Sequence, residues 1–368
     1  MVVRRNVVLD VRHAGAALRS TVGDRLRTTG AGLGLAVLVA AVATPLGRLA
    51  PILGAPVVGI VLGIALGAVL RPGPVWRPGL GTASRPVLQL SIVLLGATLS
   101  LRQVVAVGLD SLPVMLGSLA VALGGAWVLG RLLHVRGDTQ LLIGIGTGIC
   151  GASAIAATAA VLRPREHQVA YALGTIFVFN VAAVLAFPGL GQALGMDGHA
   201  FGLWAGTAIN DTSSVVAAAY SYGDGAGPDA VVVKLTRSLM LIPVVVVLAV
   251  WSARREAARA AADPMGPVGP DAPEPRPRLP WTRIVPWFLV GFVVASALTT
   301  VGVVPATWHA GLSAAGTFLI TVALVAIGLS MRLADLRRAG VRPLVLGGCL
   351  WVAVAVSSLG IQALIGTV

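Results

Sequence analysis

Two stretches decide how this chain folds: 142-LIGIGTGICGASAIAATAAV-161 and 202-GLWAGTAINDTSSVVAAAYS-221. Both are largely apolar, yet both put Gly, Thr, Ser or Asn at their centre, where a lipid-facing helix carries Leu and Ile. Laid over one another without a gap, they agree at Gly146/Gly206, Thr147/Thr207, Ile149/Ile209, Ser153/Ser213, Ala157/Ala217 and Ala159/Ala219, with Ile155/Val215 a near match. Thr, Ile and Ser register alongside Gly and Ala, so the repeat exceeds shared composition. Non-helical backbone at membrane depth is tolerated only where it is buried in protein or lines a water-filled cavity. The segments 139–162 and 200–221 therefore read as two re-entrant or broken segments whose centres meet near the bilayer midplane. The break is expected near each Gly-Thr pair.

The composition around them sets the class. Of 368 residues, 11% are charged, where a soluble domain has about 25%. Mean hydropathy is +0.90. So little charge could not cover a water-soluble surface, which excludes soluble and disordered proteins. Two cysteines, Cys150 and Cys349, leave no disulfide framework and no Cys-rich metal site. Apolar runs occur at 31–49, 55–71, 86–101, 112–133, 139–162, 168–188, 200–221, 229–251, 284–303, 307–330 and 341–366. They are continuous rather than alternating, which argues for helices over a β-barrel. The expected fold is an all-α polytopic membrane protein, with about nine full spans plus the two broken segments, arranged as inverted repeats.

The pI near 11.5 points at first to nucleic acid. The arginines, however, concentrate in the short segments between apolar runs, as the positive-inside rule requires. Residues 1–30 read as a basic cytoplasmic tail, and 31–251 as the first part of the membrane domain. An Ala/Arg-rich then Pro-rich stretch, 252–283, reads as a cytoplasmic loop, and 284–368 as the second part of the membrane domain. Segments 189–199, 222–229 and 303–309 hold no Arg or Lys and are expected outside. A second ungapped similarity, 96-GATLSLRQV-104 with 326-AIGLSMRLA-334, continues to Pro113/Pro343 and Gly117/Gly347 and supports the inverted repeats.

Three charges fall where lipid should be. Asp211 is the one acid deep inside a hydrophobic segment, a default functional position and a candidate proton carrier. Lys234 and Arg237 stand three apart on one helical face, about 8 and 12 Å from the start of their segment at 1.5 Å per residue. Lys234 is the single lysine of the chain; the other 26 basic residues are Arg, so a compact ammonium is needed there, and both Lys234 and Arg237 are read as ligands of an anionic substrate. Thr147, Ser153, Thr207, Asn210, Thr212, Ser213 and Ser214 supply hydroxyls and an amide at the breaks, where half-helix N-termini attract anions. Asn180 is read as an interhelical hydrogen bonder, and Gly59, Gly63 and Gly67 as a close-packing stripe. No phosphate-binding loop and no nucleophile–base arrangement is present.

The runs 144-GIGTGICGASAIAATAAVL-162, 166-EHQVAYALGTIFVFNVAAVLAFP-188, 232-VVKLTRSLMLIPV-244 and 286-PWFLVGFVVAS-296 resemble, in order, the sulfate exporter family of bacterial membrane proteins. The resemblance covers roughly 31–366, and it implies the paired broken helices of the bile-acid and citrate transporters. Where that family usually carries a His-Glu pair, this chain has Asn210-Asp211. The resemblance implies an anionic substrate. Together these readings lead to a secondary transporter of a small sulfate- or sulfonate-like anion, working by alternating access in the cytoplasmic membrane, proton-coupled through Asp211, with its N-terminus in the cytoplasm. The alternatives are a passive channel for small solutes and a membrane subunit of a larger complex. The expectation is no enzyme, no cofactor, no metal and no nucleic acid; the partners are a small anion, the bilayer and a second copy of the chain.

Overall fold

A computed structural model describes residues 29–47, 49, 54–223, 225–262, 287–330 and 341–367. Every regular element among them is helical. They are α1 (Thr29–Gly47), α2 (Gly54–Leu70), α3 (Arg77–Gly96), α4 (Leu101–Asp110) and α5 (Leu112–Leu132). Then come α6 (Asp138–Gly148), α7 (Ala152–Leu162), α8 (Glu166–Ala193), α9 (Gly198–Ala208), α10 (Thr212–Tyr222) and α11 (Ala226–Leu239). The last are α12 (Leu241–Ala262), α13 (Trp287–Thr300), α14 (Ala306–Ser330) and α15 (Val341–Ile365). In lipid each backbone polar group must be satisfied within its own segment, and the continuous apolar runs do this as helices.

Among the described residues, α1, α5, α8, α14, α15 and the joined α11–α12 are long and apolar enough to cross a membrane. The pair α3 and α4, bent by 105°, makes a seventh if it counts as one span. The sequence reading expected about nine. Helices α2 and α13 are apolar but only 17 and 14 residues long. The bend after α3 has a local cause. Ser100 opens α4 with a capping box: its Oγ accepts from Gln103 N–H, and Gln103 Oε1 accepts from Ser100 N–H at 2.9 Å.

The chain forms two compact units, drawn from 1–91 with 317–332 and from 92–316 with 333–368. The sequence reading takes 252–283 as a loop between two parts of the membrane domain. The first eleven residues of that stretch continue α12, as its Ala, Arg and Glu residues favour. The tail through residue 28, the Pro-rich part of the loop, and the arginines at 332, 337 and 338 lie outside the described residues. So do residues 331–334 of the second similarity.

In the first unit, small residues let helices meet backbone to backbone. A Cβ on Gly63 would stand 2.5 Å from Val325 O, and one on Gly328 2.6 Å from Ile60 O, so the Gly59/Gly63/Gly67 stripe packs on the end of α14. Ala36, Ala40, Leu80, Ala83, Val322 and Leu329 form the core beside it.

In the second unit, aromatic rings fix the surroundings of α9 and α10. Phe201 stacks on Tyr222 at 3.8 Å and Phe187 on Trp204 at 4.2 Å. Trp204 Nε1–H donates to Ala355 O at 3.0 Å, which ties α9 to α15. Such rings supply large rigid contact area, and the buried indole N–H has found its acceptor.

Candidate functional site

The internal repeat is realised as repeated anatomy. An 11-residue helix ends at Gly148, residues 149–151 break it, and an 11-residue helix starts at Ala152. Sixty residues on, an 11-residue helix ends at Ala208, residues 209–211 break it, and an 11-residue helix starts at Thr212. Both breaks fall three residues later than the Gly-Thr pairs where they were expected.

Those glycines serve packing instead. A Cβ on Gly206 would lie 2.7 Å from Val233 Cγ1 and 3.0 Å from Ala230 O, so only Gly lets α9 approach α11 this closely. A Cβ on Gly146 would lie 2.9 Å from Ile155 Cδ1. In one continuous helix, nine residues would separate these two by about 13 Å along the axis. The halves α6 and α7 therefore fold back on each other at the break.

The two breaks turn by different means. In the first, Gly151 adopts φ +65 and ψ −126, a conformation that L side chains rarely take. In the second, Ile209 and Asp211 are extended and Asp211 caps α10, its carboxylate accepting from Ser213 N–H at 3.1 Å and from the Ser213 hydroxyl. Asn180, on α8, accepts from Asp211 N–H at 3.1 Å through Oδ1, which is the interhelical role read for it. The breaks lie side by side: a Cβ on Gly151 would sit 3.6 Å from the carbonyl of Asn210.

Both cations of α11 serve these breaks. Lys234 is fully buried, and its Nζ donates to Ile149 O at 2.9 Å and to Ile209 O at 2.7 Å. The acceptors are equivalent positions of the two copies. Arg237, also fully buried, donates from Nε to Gly148 O at 2.7 Å. Carbonyls at a helix C-terminus have no intrahelical partner and carry partial negative charge. A buried ammonium needs such partners, and each charge-assisted bond contributes about 1.5–3 kcal/mol.

The remaining expected site residues fall around this centre. Thr207 donates to Leu203 O at 2.7 Å and pairs with Ser358 Oγ at 2.6 Å. Thr147 Oγ1 and Asn210 Oδ1 are buried with no partner among the described residues. Ser214 is buried and Thr212 half-buried in the first turn of α10, while Ser153 in the first turn of α7 is exposed. Asp211, Lys234 and Arg237 converge on the breaks without an ion pair between them. The ion pair among the described residues joins His199 to Asp229. Ser358 and Gln362, both fully buried on α15 with Gln362 Nε2 3.3 Å from Ser358 Oγ, were missed. Their signal was two polar residues one helical turn apart in an otherwise apolar run.

Comparison with known proteins covers this whole arrangement. The family described as Conserved hypothetical protein 698 matches residues 31–347. A UPF0324 membrane protein of Streptococcus pyogenes serotype M3 is 38% identical over 343 residues, covering 91% of this chain and 97% of that protein. One of Fusobacterium nucleatum subsp. nucleatum is 36% identical over 355 residues, covering 91% and 98%. One of Clostridium tetani is 38% identical over 317 residues, covering 86% and 91%. The chain belongs to this family of multi-pass bacterial membrane proteins.

Proposed function

We propose that the protein is a secondary transporter that moves a small anion across the cell membrane by alternating access. The observation that carries this reading is the pair of broken helices held together by Lys234, which donates to Ile149 O and Ile209 O. Irregular backbone this deeply buried, with its ends converging on one charged side chain, is the construction expected of a substrate site built from discontinuous helices. A passive pore has no need of a central tie between two breaks.

In this reading the substrate is sulfate- or sulfonate-like, in keeping with the sequence resemblance. The polar groups at the breaks, Thr147, Ser153, Thr207, Asn210, Thr212, Ser213 and Ser214, form its surroundings. Asp211 is half-buried at the second break and couples anion movement to a proton. Lys234 closes the breaks by neutralising two helix ends, whereas the sequence reading counts it among the anion-binding residues. No chemical transformation or cofactor enters the cycle. The N-terminus is cytoplasmic, and a second copy of the chain is a candidate partner.

The test is flux of sulfate and methanesulfonate into proteoliposomes, with and without an imposed pH gradient. Saturable uptake driven by the gradient is expected. Uptake that is unsaturable and indifferent to the gradient would identify a channel, and no uptake of any anion would end the reading.

A further inference from the structure

The two copies of the broken segment are built alike but charged differently. At the start of α10, Asp211 places a carboxylate over the first-turn N–H groups. The equivalent position at the start of α7, sixty residues earlier, is Gly151, and no side chain there accepts a first-turn hydrogen bond. At φ +65 the backbone disfavours any replacement that could supply one. Ala152 and Ser153, the first residues of α7, are not covered by protein.

A second, independent observation concerns Arg237. Its Nε is fixed on Gly148 O, three residues before Gly151. Its two terminal nitrogens are buried and have no hydrogen-bond partner among the described residues. Buried polar groups are almost always paired, and a forked guanidinium without an acceptor is a matched receptor for two oxygens of one group.

The balance of charge agrees. Two half-helix C-termini carry about half a negative charge each, together about one ammonium, and Lys234 is placed on both. The Asp211 carboxylate is offset by the N-terminus of α10, which it caps, and the N-terminus of α7 has no such partner. Arg237 is left with one carbonyl against a full positive charge.

We propose that the first break is an oxyanion site. A carboxylate, sulfonate or sulfate group takes at the start of α7 the place that the Asp211 carboxylate holds at the start of α10, and the terminal nitrogens of Arg237 grip it. The inference rests on the anion-transport reading and deepens it. It assigns the charged end of the substrate to Arg237 and the first break, and leaves Lys234 as the clamp. A fork selects groups with two coplanar oxygens over spherical halides.

The experiment is thermal unfolding of the full chain in phosphatidylcholine nanodiscs, which carry no net-anionic headgroup. Sodium sulfate or methanesulfonate is titrated against chloride at matched ionic strength. The wild type should unfold at rising temperature with either oxyanion and not with chloride. Arg237→Gln should abolish the rise, and Arg237→Lys should weaken apparent affinity by about tenfold, as one charge-assisted hydrogen bond is lost. Ser153→Asp leaves Arg237 in place and puts a carboxylate into the first turn of α7. It should raise the unfolding temperature without added anion and remove the response.

A wild type that gains nothing from either oxyanion overturns the proposal. So does Arg237→Gln or Ser153→Asp with the full wild-type response. Flux separates the two ideas. Binding through Arg237 without flux ends the transport reading and leaves the site; flux with both variants binding like wild type ends the site and leaves the reading.

Discussion

Ile149 and Ile209 lie sixty residues apart in the chain, yet their carbonyl oxygens accept hydrogen bonds from one ammonium, at 2.9 and 2.7 Å. Each carbonyl follows the last residue of a half-helix, where the backbone has run out of intrahelical donors. One side chain thus satisfies the same deficit in both copies of the repeat.

Removing that side chain should be severe. Lys234→Ala leaves two buried carbonyls unpaired, at about 1–3 kcal/mol each. The variant should lose several degrees of unfolding temperature even with no anion present, a result an anion ligand alone would not give. Lys234→Arg should also be impaired, because a planar fork cannot converge on two carbonyls as an ammonium does. A Lys234→Ala protein as stable as wild type would disprove the clamp.

Asp211→Asn should separate stability from coupling. Asn is as good a helix N-cap as Asp, so unfolding should shift by less than about 1 kcal/mol. Anion flux should persist but lose its response to a pH gradient. Gradient-driven flux unchanged from wild type would remove Asp211 from the coupling step.

Gly206→Ala tests the close approach of α9 to α11. The added methyl would stand 2.7 Å from Val233 Cγ1 and 3.0 Å from Ala230 O, and backbone cannot yield as a side chain can. A loss of about 1–3 kcal/mol in unfolding stability is expected, with reduced flux. Gly124→Ala on α5, where nothing lies within 4 Å, is the control that should behave as wild type.

Orientation is checked by labelling. Val303 is exposed in an Arg-free segment and Arg136 is exposed in a basic one. In a Cys349→Ser background, with Cys150 buried, Val303→Cys should react with a membrane-impermeant maleimide on whole cells and Arg136→Cys only after lysis. The reverse pattern would invert the topology read from the arginines.

Much of this was legible because lipid restricts what a sequence can do. Continuous apolar runs specified helices, and polar residues recurring at a sixty-residue offset located both breaks. The exact kink was not legible, since Gly146 and Gly206 look like helix breakers but are used to admit Ile155 and Val233. The duty of Lys234 was hidden for a different reason. Its acceptors are backbone carbonyls, which every residue owns and no sequence displays. Asp211 as a cap could have been read from Asp-Thr-Ser-Ser opening an apolar run, a common helix start. Its depth in the membrane drew attention to its charge instead. Residues 252–262 were assigned to a loop from the prolines beyond them, although Ala, Arg and Glu favour helix.

Lys234 and Arg237 hang from a single rod. Three residues apart on α11, they stand about 60° from one another around its axis and about 4.5 Å along it. A swivel of that rod would therefore draw both latches together, freeing Gly148, Ile149 and Ile209 in one stroke. Through Lys234, a pull on one break is felt at its twin.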